Sequence, residues 1–227
     1  SNYLDAVAAT LGRNFKTAID KYSLIANAVR EEQQSAAYVD LGRAYEKNEE
    51  IDRAIESYVK ATQLDPQSAA AFLRLGILYG RRQLLPKAND AFSKAEAIYR
   101  AMSSQEGLAE VHYQMGSLLA RIRKLPEAKE QLERSLAMSR GSSSEYQSIR
   151  TSLQLSNVYY ATGDSSRAKS IATDAVKAAQ LLNSRTLATN GLIDLGYTLL
   201  ARGEFADTRA YLHQALDLAR QDKSPRL

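Results

Sequence analysis

Two histidines, His112 and His213, have the widest chemical reach in this chain, since an imidazole can serve as acid, base or metal ligand near neutral pH. They stand 101 residues apart. A metal site or a general-base pair needs several groups converging on one point. His112 occupies a slot that Tyr38 and Phe72 fill in a repeating pattern described below, so it reads as a core side chain; His213, beside Leu212, reads as a surface one. The acidic pairs Glu31-Glu32 and Glu49-Glu50 fall at turns or exposed faces and read as solvated charge. No Gly-x-Gly-x-x-Gly, Walker-type loop, His-Glu-x-x-His or Gly-x-Ser-x-Gly occurs. There are 0 cysteines, so disulfides and cysteine-ligated metals are excluded. The expectation is a protein that is not an enzyme and carries no cofactor and no metal.

The elements that hold these residues must be helices. The chain has 227 residues, 44% hydrophobic and 25% charged, an ordinary composition for one large or two small globular domains. Only 4 prolines and 11 glycines punctuate it, too few for an all-β protein with many tight turns, and the commonest residues favour helix. The net charge of +4, from 30 basic and 26 acidic residues, is mild and interspersed. It hints at an acidic partner, whereas a nucleic-acid reader concentrates its excess on one face. Apolar runs such as Ala69 to Leu73 end at charge (Arg74), so no membrane span is expected. The start, Ser1-Asn2 with no initiator methionine, reads as a segment of a longer protein, expected to be soluble and cytoplasmic.

Internal repetition organises the rest. Segments Tyr38 to Tyr45, Phe72 to Tyr79, His112 to Leu119 and Leu192 to Leu199 align on Gly42, Gly76, Gly116 and Gly196; Ser152 to Tyr159 aligns with Ser156 in the glycine's place. Successive small residues lie 34, 40, 40 and 40 positions apart. Twelve residues after each stands another small one, Ala54, Ala88, Ala128, Ala168 or Thr208, and seven later a further one, Ala61, Ala95, Ser135, Ala175 or Ala215. Between them sits a larger or apolar residue: Tyr58, Phe92, Leu132, Ala172 or Leu212. A glycine inside a helix costs about 1 kcal/mol against alanine, so its recurrence needs a packing reason: a neighbouring helix crosses too close for a Cβ. Each unit is a helix hairpin that buries its apolar face only by stacking on its neighbours.

This pattern resembles the tetratricopeptide repeat, aromatic-x-x-Leu-Gly-x-x-Tyr, then Ala-x-x-x-Phe, then Pro, over 34 residues. Residues 35–68 match with Tyr38, Leu41, Gly42, Tyr45, Ala54, Tyr58, Ala61 and Pro66; the second unit has Arg100 where the proline stands. The later, longer units look like the variant of kinesin light chains and Pins-like adaptors. The resemblance implies an all-α, right-handed α-solenoid of stacked antiparallel hairpins. The expected units are 35–68, 69–108, 109–148, 149–188 and 189–221, after residues 1–34 as a degenerate hairpin or single capping helix, with a tail at 222–227. First helices are predicted near 35–48, 69–82, 105–122, 145–162 and 186–202, and second helices near 51–64, 85–101, 125–139, 165–182 and 205–221. Gly163 and Gly203 read as C-terminal caps, and Gly141 to Ser144 as a flexible connection.

In that family the first helices line a concave groove that binds another protein. Rotation from the core stripe at about 100° per residue then selects the candidate contacts. They are Val39, Arg43 and Lys47; Leu73, Arg74, Ile77 and Arg81; Tyr113, Gln114 and Arg121; Arg150, Leu153, Asn157 and Tyr160; and Ile193 and Tyr197, with Leu200 beside them. Arginine with tyrosine is a mixture enriched at interfaces. The expected ligand is a peptide or helix, acidic over the first units and apolar over the last. Val39 and Arg43 stand where the co-chaperone clamp has its paired Lys and Asn, and only Asn157 and Asn190 lie near an asparagine ladder, so those groups' ligands are not carried over. A nucleic-acid-binding helical repeat is the disfavoured alternative, since stacking aromatics beside each arginine are lacking. A segment of a bacterial signalling regulator and a homo-dimer through the C-terminal hairpin complete the expectations.

Overall fold

In a computed structural model, which describes residues 2–141 and 144–221, the periodic segments fold as twelve helices, and among the described residues every regular element is helical. They form two compact units, Ser1–Ser104 and Gln105–Leu227. The first contains α1 (Asn2–Leu11), α2 (Phe15–Ala28), α3 (Glu31–Lys47), α4 (Ile51–Leu64), α5 (Ala69–Arg81) and α6 (Leu85–Ala101). The second contains α7 (Gln105–Arg121), α8 (Leu125–Gly141), α9 (Glu145–Ala161), α10 (Ser165–Leu181), α11 (Arg185–Ala201) and α12 (Phe205–Gln221). Consecutive helices pack in sequence order inside each unit. In the second, first helices also touch directly, α7 with α9 and α9 with α11. The fold is an all-α helical repeat solenoid.

The N-terminal region departs from the sequence reading at the start of α3, and of the two alternatives for residues 1–34 it takes the hairpin. α3 begins at Glu31, four residues early, because Glu31 and Glu32 place negative charge in its first turn and Arg30 adopts an extended backbone at its N-cap. Residues 2–28 form two helices, whose Ala6, Ala18, Ile19 and Tyr22 pack against Leu41 and Ala44 of α3. Ser142 and Ser143 of the expected flexible connection, and the tail 222–227, lie outside the described residues.

Most helices are joined by three-residue turns with one left-handed residue. Gly163 (φ 92°) and Gly203 (φ 78°) hold that place in two of them, as expected for caps. Arg13, Glu49, Gln83, Ser103, Arg123 and Asn183 hold it in the others at φ between 54° and 64°. The backbone closes each turn in the same way, as in Asp164 N donating to Tyr159 O at 2.9 Å and Lys124 N to Leu119 O at 2.9 Å. A non-glycine residue in this region costs about 1–2 kcal/mol, which the packing of the two helices offsets.

The repeated glycines leave room for a side chain sixteen residues ahead. A Cβ added at Gly42 would lie 2.7 Å from the Tyr58 ring, at Gly76 2.6 Å from Phe92, at Gly116 2.6 Å from Leu132 and at Gly196 2.7 Å from Leu212. Where Ser156 replaces the glycine, the residue sixteen ahead is the small Ala172, and the Ser156 hydroxyl donates to Ala168 O at 2.9 Å. A larger residue at the glycine's place thus goes with a smaller one opposite. Gly191 makes a further close approach that the repeat pattern did not flag, its missing Cβ 2.7 Å from Leu153.

This pairing is testable at the third hairpin. Leu132→Ala is expected to cost about 2–5 kcal/mol as a buried truncation, and Gly116→Ser about 1–3 kcal/mol as overpacking. The double variant, which copies Ser156 with Ala172, should lose at least about 1 kcal/mol less than the sum in denaturant unfolding. Strict additivity would dismiss the volume pairing.

Candidate functional site

Counting from the small residue of each first helix shows which strip of that helix stays open. The position three before it is buried at Val39, Leu73 and Leu153 and half-buried at Tyr113 and Ile193. The positions one and five after it are open or partly open at Arg43 and Lys47, Ile77 and Arg81, Ser117 and Arg121, and Asn157 and Ala161. These lie one helical turn apart and share a face. The position two before, with Asp40, Arg74, Gln114, Gln154 and Asp194, lies beside them and is partly or fully exposed.

In the first unit this strip borders a recess of about 430 Å³ lined by Arg43, Lys47, Arg74 and Arg81 with Asp40, Glu46 and Ala44, and closed by Thr10 of α1 and Tyr22 of α2. Its four cations outnumber its two carboxylates. Arg43 Nη1 sits 3.0 Å from Asp40 Oδ1 and Arg74 Nη1 4.0 Å from Glu46 Oε2. Lys47 and Arg81 are exposed and make no ion pair among the described residues. Glu46 is held from beneath: the buried Tyr58, whose ring fills the Gly42 slot, donates its hydroxyl to Glu46 Oε1. Burial, then the Glu46 carboxylate, push the Tyr58 hydroxyl far above its ordinary pKa. Tyr3 Oη donates to Asp40 Oδ2 at 3.3 Å, tying α1 to the wall.

In the second unit the same strip borders a smaller recess of about 270 Å³, with Arg121, Arg123, Gln154 and Asn157 among its walls. Arg150 does something else. Its guanidinium lies 3.9 Å over the Tyr113 ring centroid and donates to Glu110 and, at 2.6 Å, to Gln147 Oε1. Gln114 Nε2 donates to Glu110 Oε1 at 2.8 Å, so Tyr113, Gln114 and Arg150 brace α7 against α9. On α11, Tyr197 is 63% exposed and Leu200 44%. Desolvation raises the Asp194 carboxyl of the same helix above its ordinary pKa.

Four expected contacts are therefore corrected by burial. Val39 packs with Ala54 and Tyr58, Leu153 fills the Gly191 gap, Tyr160 is 2% exposed within the core of the second unit, and Leu73 is likewise buried. Arg43, Lys47, Arg74 and Arg81 do come together, as do Arg121 and Asn157. The sequence reading missed Thr10 and Tyr22, because the first hairpin carries none of the glycine register that would have aligned it. His112 is buried, its Nδ1 2.8 Å from Gln131 Oε1, and His213 is exposed. Among the described residues no three His, Asp or Glu side chains gather as a metal site would, and no helix is long and apolar enough to cross a membrane.

A family profile described as TPR repeat matches residues 42–83, and one described as Tetratricopeptide repeat matches residues 191–221. These two stretches of the chain are tetratricopeptide repeats. No curated protein sequence matches it significantly. Among solved structures it is similar to BtubC (BKLC) from P. vanneervenii, with TM-score 0.73 and 18% identity over 94% of this chain and 91% of that one. It is similar to Pseudomonas aeruginosa pilF, with TM-score 0.63 and 20% identity over 82% and 78%. A Rap protein complexed with Competence and Sporulation Factor is similar over 97% of this chain and 74% of its own, with TM-score 0.70 and 13% identity. Likeness at this identity concerns the repeat fold.

The Tyr58 hydroxyl links this repeat's packing to pH. A tyrosine whose pKa is raised on folding holds its proton more tightly when folded. Its contribution is whole below the ordinary value of 10.0 and is lost as pH rises above it. Tyr58→Phe should cost about 1 kcal/mol at pH 7 through the lost hydrogen bond. Denaturant unfolding at pH 7, 9 and 11 should show the gap to the parent protein narrowing above pH 10; a constant gap would contradict it.

Proposed function

We propose that this chain is a protein-interaction scaffold whose first unit takes an acidic peptide or helical segment of a partner in the recess between α3 and α5. The observation that carries this reading is the charge of that recess: four cations against two carboxylates, with Lys47 and Arg81 unpaired among the described residues. Water-exposed cations without internal partners cost little to leave open and gain most from an incoming carboxylate, and complementary charge of this kind sets specificity and on-rate. The α11 strip, with Ile193, Tyr197 and Leu200, offers the second unit's apolar contact. The Rap neighbour's complex with a factor, and another Rap regulator's complex with the Phr* peptide, support peptide capture as a use of the fold. A docking role within a larger, bacterial signalling protein extends the proposal.

Self-association through α12 is a second reading, favoured by register. Val176 of α10 is buried under α11, while Leu216, forty residues on in the matching place of α12, is 43% exposed, and Phe205 is 68% exposed.

The experiment for the first reading is affinity capture from the source lysate, compared with a Lys47→Glu, Arg81→Glu variant. Both positions are exposed, so the fold and its melting temperature should hold. The retained partner should fall at least about tenfold, since two reversed contacts exceed 1.4 kcal/mol; an identical retained set would sink the recess. For the second, Leu216→Glu should abolish any concentration-dependent mass increase in sedimentation, and a parent chain that stays monomeric at all concentrations would refute it.

A further inference from the structure

The four cations of the first unit's recess are not equivalent. Arg74 faces a carboxylate that is fixed in place. The Glu46 side chain is only 10% exposed, and its Oε2 lies 4.0 Å from Arg74 Nη1. From beneath, its Oε1 accepts the Tyr58 hydroxyl. That hydroxyl has one position, because the fully buried Tyr58 ring fills the gap over Gly42. A surface carboxylate can swing into solvent when a rival arrives; this one would leave a buried hydroxyl unpaired by doing so. Arg43 has Asp40 of its own helix at 3.0 Å. Lys47 and Arg81, in the last turns of α3 and α5, have no such partner among the described residues. The acid also belongs to this hairpin alone. Four residues after the small residue, the other units carry Gly80, Ala120, Tyr160 and Leu200, and their gap fillers Phe92, Leu132, Ala172 and Leu212 have no hydroxyl. Carboxylate and hydroxyl therefore occur together only where the first helix borders the basic recess.

We infer that Glu46 is the specificity-determining residue of the recess, a resident carboxylate that stands in for a ligand's at Arg74. It confines the acidic group of an incoming segment to Lys47 and Arg81, and so sets both where that segment docks and how tightly. The inference rests on the proposed function and narrows it. Four free cations would accept an acidic chain in many registers. With Glu46 in place, a carboxylate laid over Arg74 meets a like charge that cannot move aside, and like charges brought together reject a misplaced partner. The outer pair carries no such penalty. The favoured occupant is thus a segment whose acidic residues are clustered to reach Lys47 and Arg81, rather than one with acids spread along the whole recess.

The test takes peptides selected from a random phage-displayed library on the full chain and measures them by fluorescence anisotropy against three variants: Glu46→Gln, Glu46→Gln with Arg74→Gln, and Lys47→Glu with Arg81→Glu. Glu46→Gln keeps the size of the side chain and an oxygen for the Tyr58 hydroxyl, and circular dichroism with thermal melts checks that each variant folds. Glu46→Ala gives the same reading of charge should the amide disturb the hairpin. The selected peptides should be acidic. They should bind Glu46→Gln at least about threefold more tightly at low salt, with the gain fading in about 1 M salt, where charges are screened. Loss of packing cannot produce a gain of affinity. The double variant has the net charge of the parent recess and should bind within about twofold of the parent. Lys47→Glu with Arg81→Glu should bind at least about tenfold more weakly. Unchanged or weaker binding to Glu46→Gln, or a gain that persists in the double variant, would overturn the role of Glu46 and leave the recess standing. No enrichment on the parent, or peptides indifferent to reversal of Lys47 and Arg81, would overturn the recess itself and this inference with it.

Discussion

Four of the hairpins close around a gap in a backbone. At Gly42, Gly76, Gly116 and Gly196 a ring or a branched side chain from sixteen residues ahead occupies the volume a Cβ would take, within 2.6 to 2.7 Å of where that atom would be. Such a contact sets the distance between the two helices, and a tight turn with one left-handed residue is what can span it. A contact this close tolerates no added methylene unless its partner shrinks. Ser156 opposite Ala172 meets that condition. Because the contact recurs, so does the hairpin, and each hairpin turns the same strip of its first helix to the open side.

The packing contact also reaches the chemistry of the open strip. Tyr58 fills the Gly42 gap with its ring and holds Glu46 with its hydroxyl. Glu46 in turn stands 4.0 Å from Arg74. One residue therefore fixes the helix spacing and positions a carboxylate that draws off part of the recess's positive charge. In the second unit the corresponding gap is filled by leucine, which has no such handle, and the wall is stiffened from the other side by Arg150 lying on Tyr113 and pairing with Glu110. The two units thus share a scaffold and differ in how their walls are held, by Tyr58 with Glu46 in the first and by Arg150 with Tyr113 and Glu110 in the second.

Helical periodicity places residues on faces but does not say how many faces a helix buries. The first helices of a stack are flanked on more than one side, so a rotation of about 100° from the core stripe still lands on covered positions. This is why Val39, Leu73, Leu153 and Tyr160 are core residues, while Arg43, Lys47 and Arg81, one and five residues after the small residue of their helices, are open. The first hairpin was harder to read for a related reason. Its α1 and α2 lack the glycine contact, and their place beside α3 depends on Ala18, Ile19 and Tyr22 meeting Leu41 and Ala44, a match of shapes that has no period.

The spacing of small and large residues by itself determined that the chain is helical and where the repeated hairpins lie. These follow from local rules, since glycine, alanine and the bulky residue sixteen ahead act within one hairpin and repeat in the chain. Only the tertiary structure decided which cations remain open. Arg74 meets a carboxylate 28 residues earlier and Arg150 one 40 residues earlier, whereas Lys47 and Arg81 meet none among the described residues. Charge pairing across stacked helices depends on which side chains the packing brings within a few ångströms, and a linear pattern holds no record of that distance.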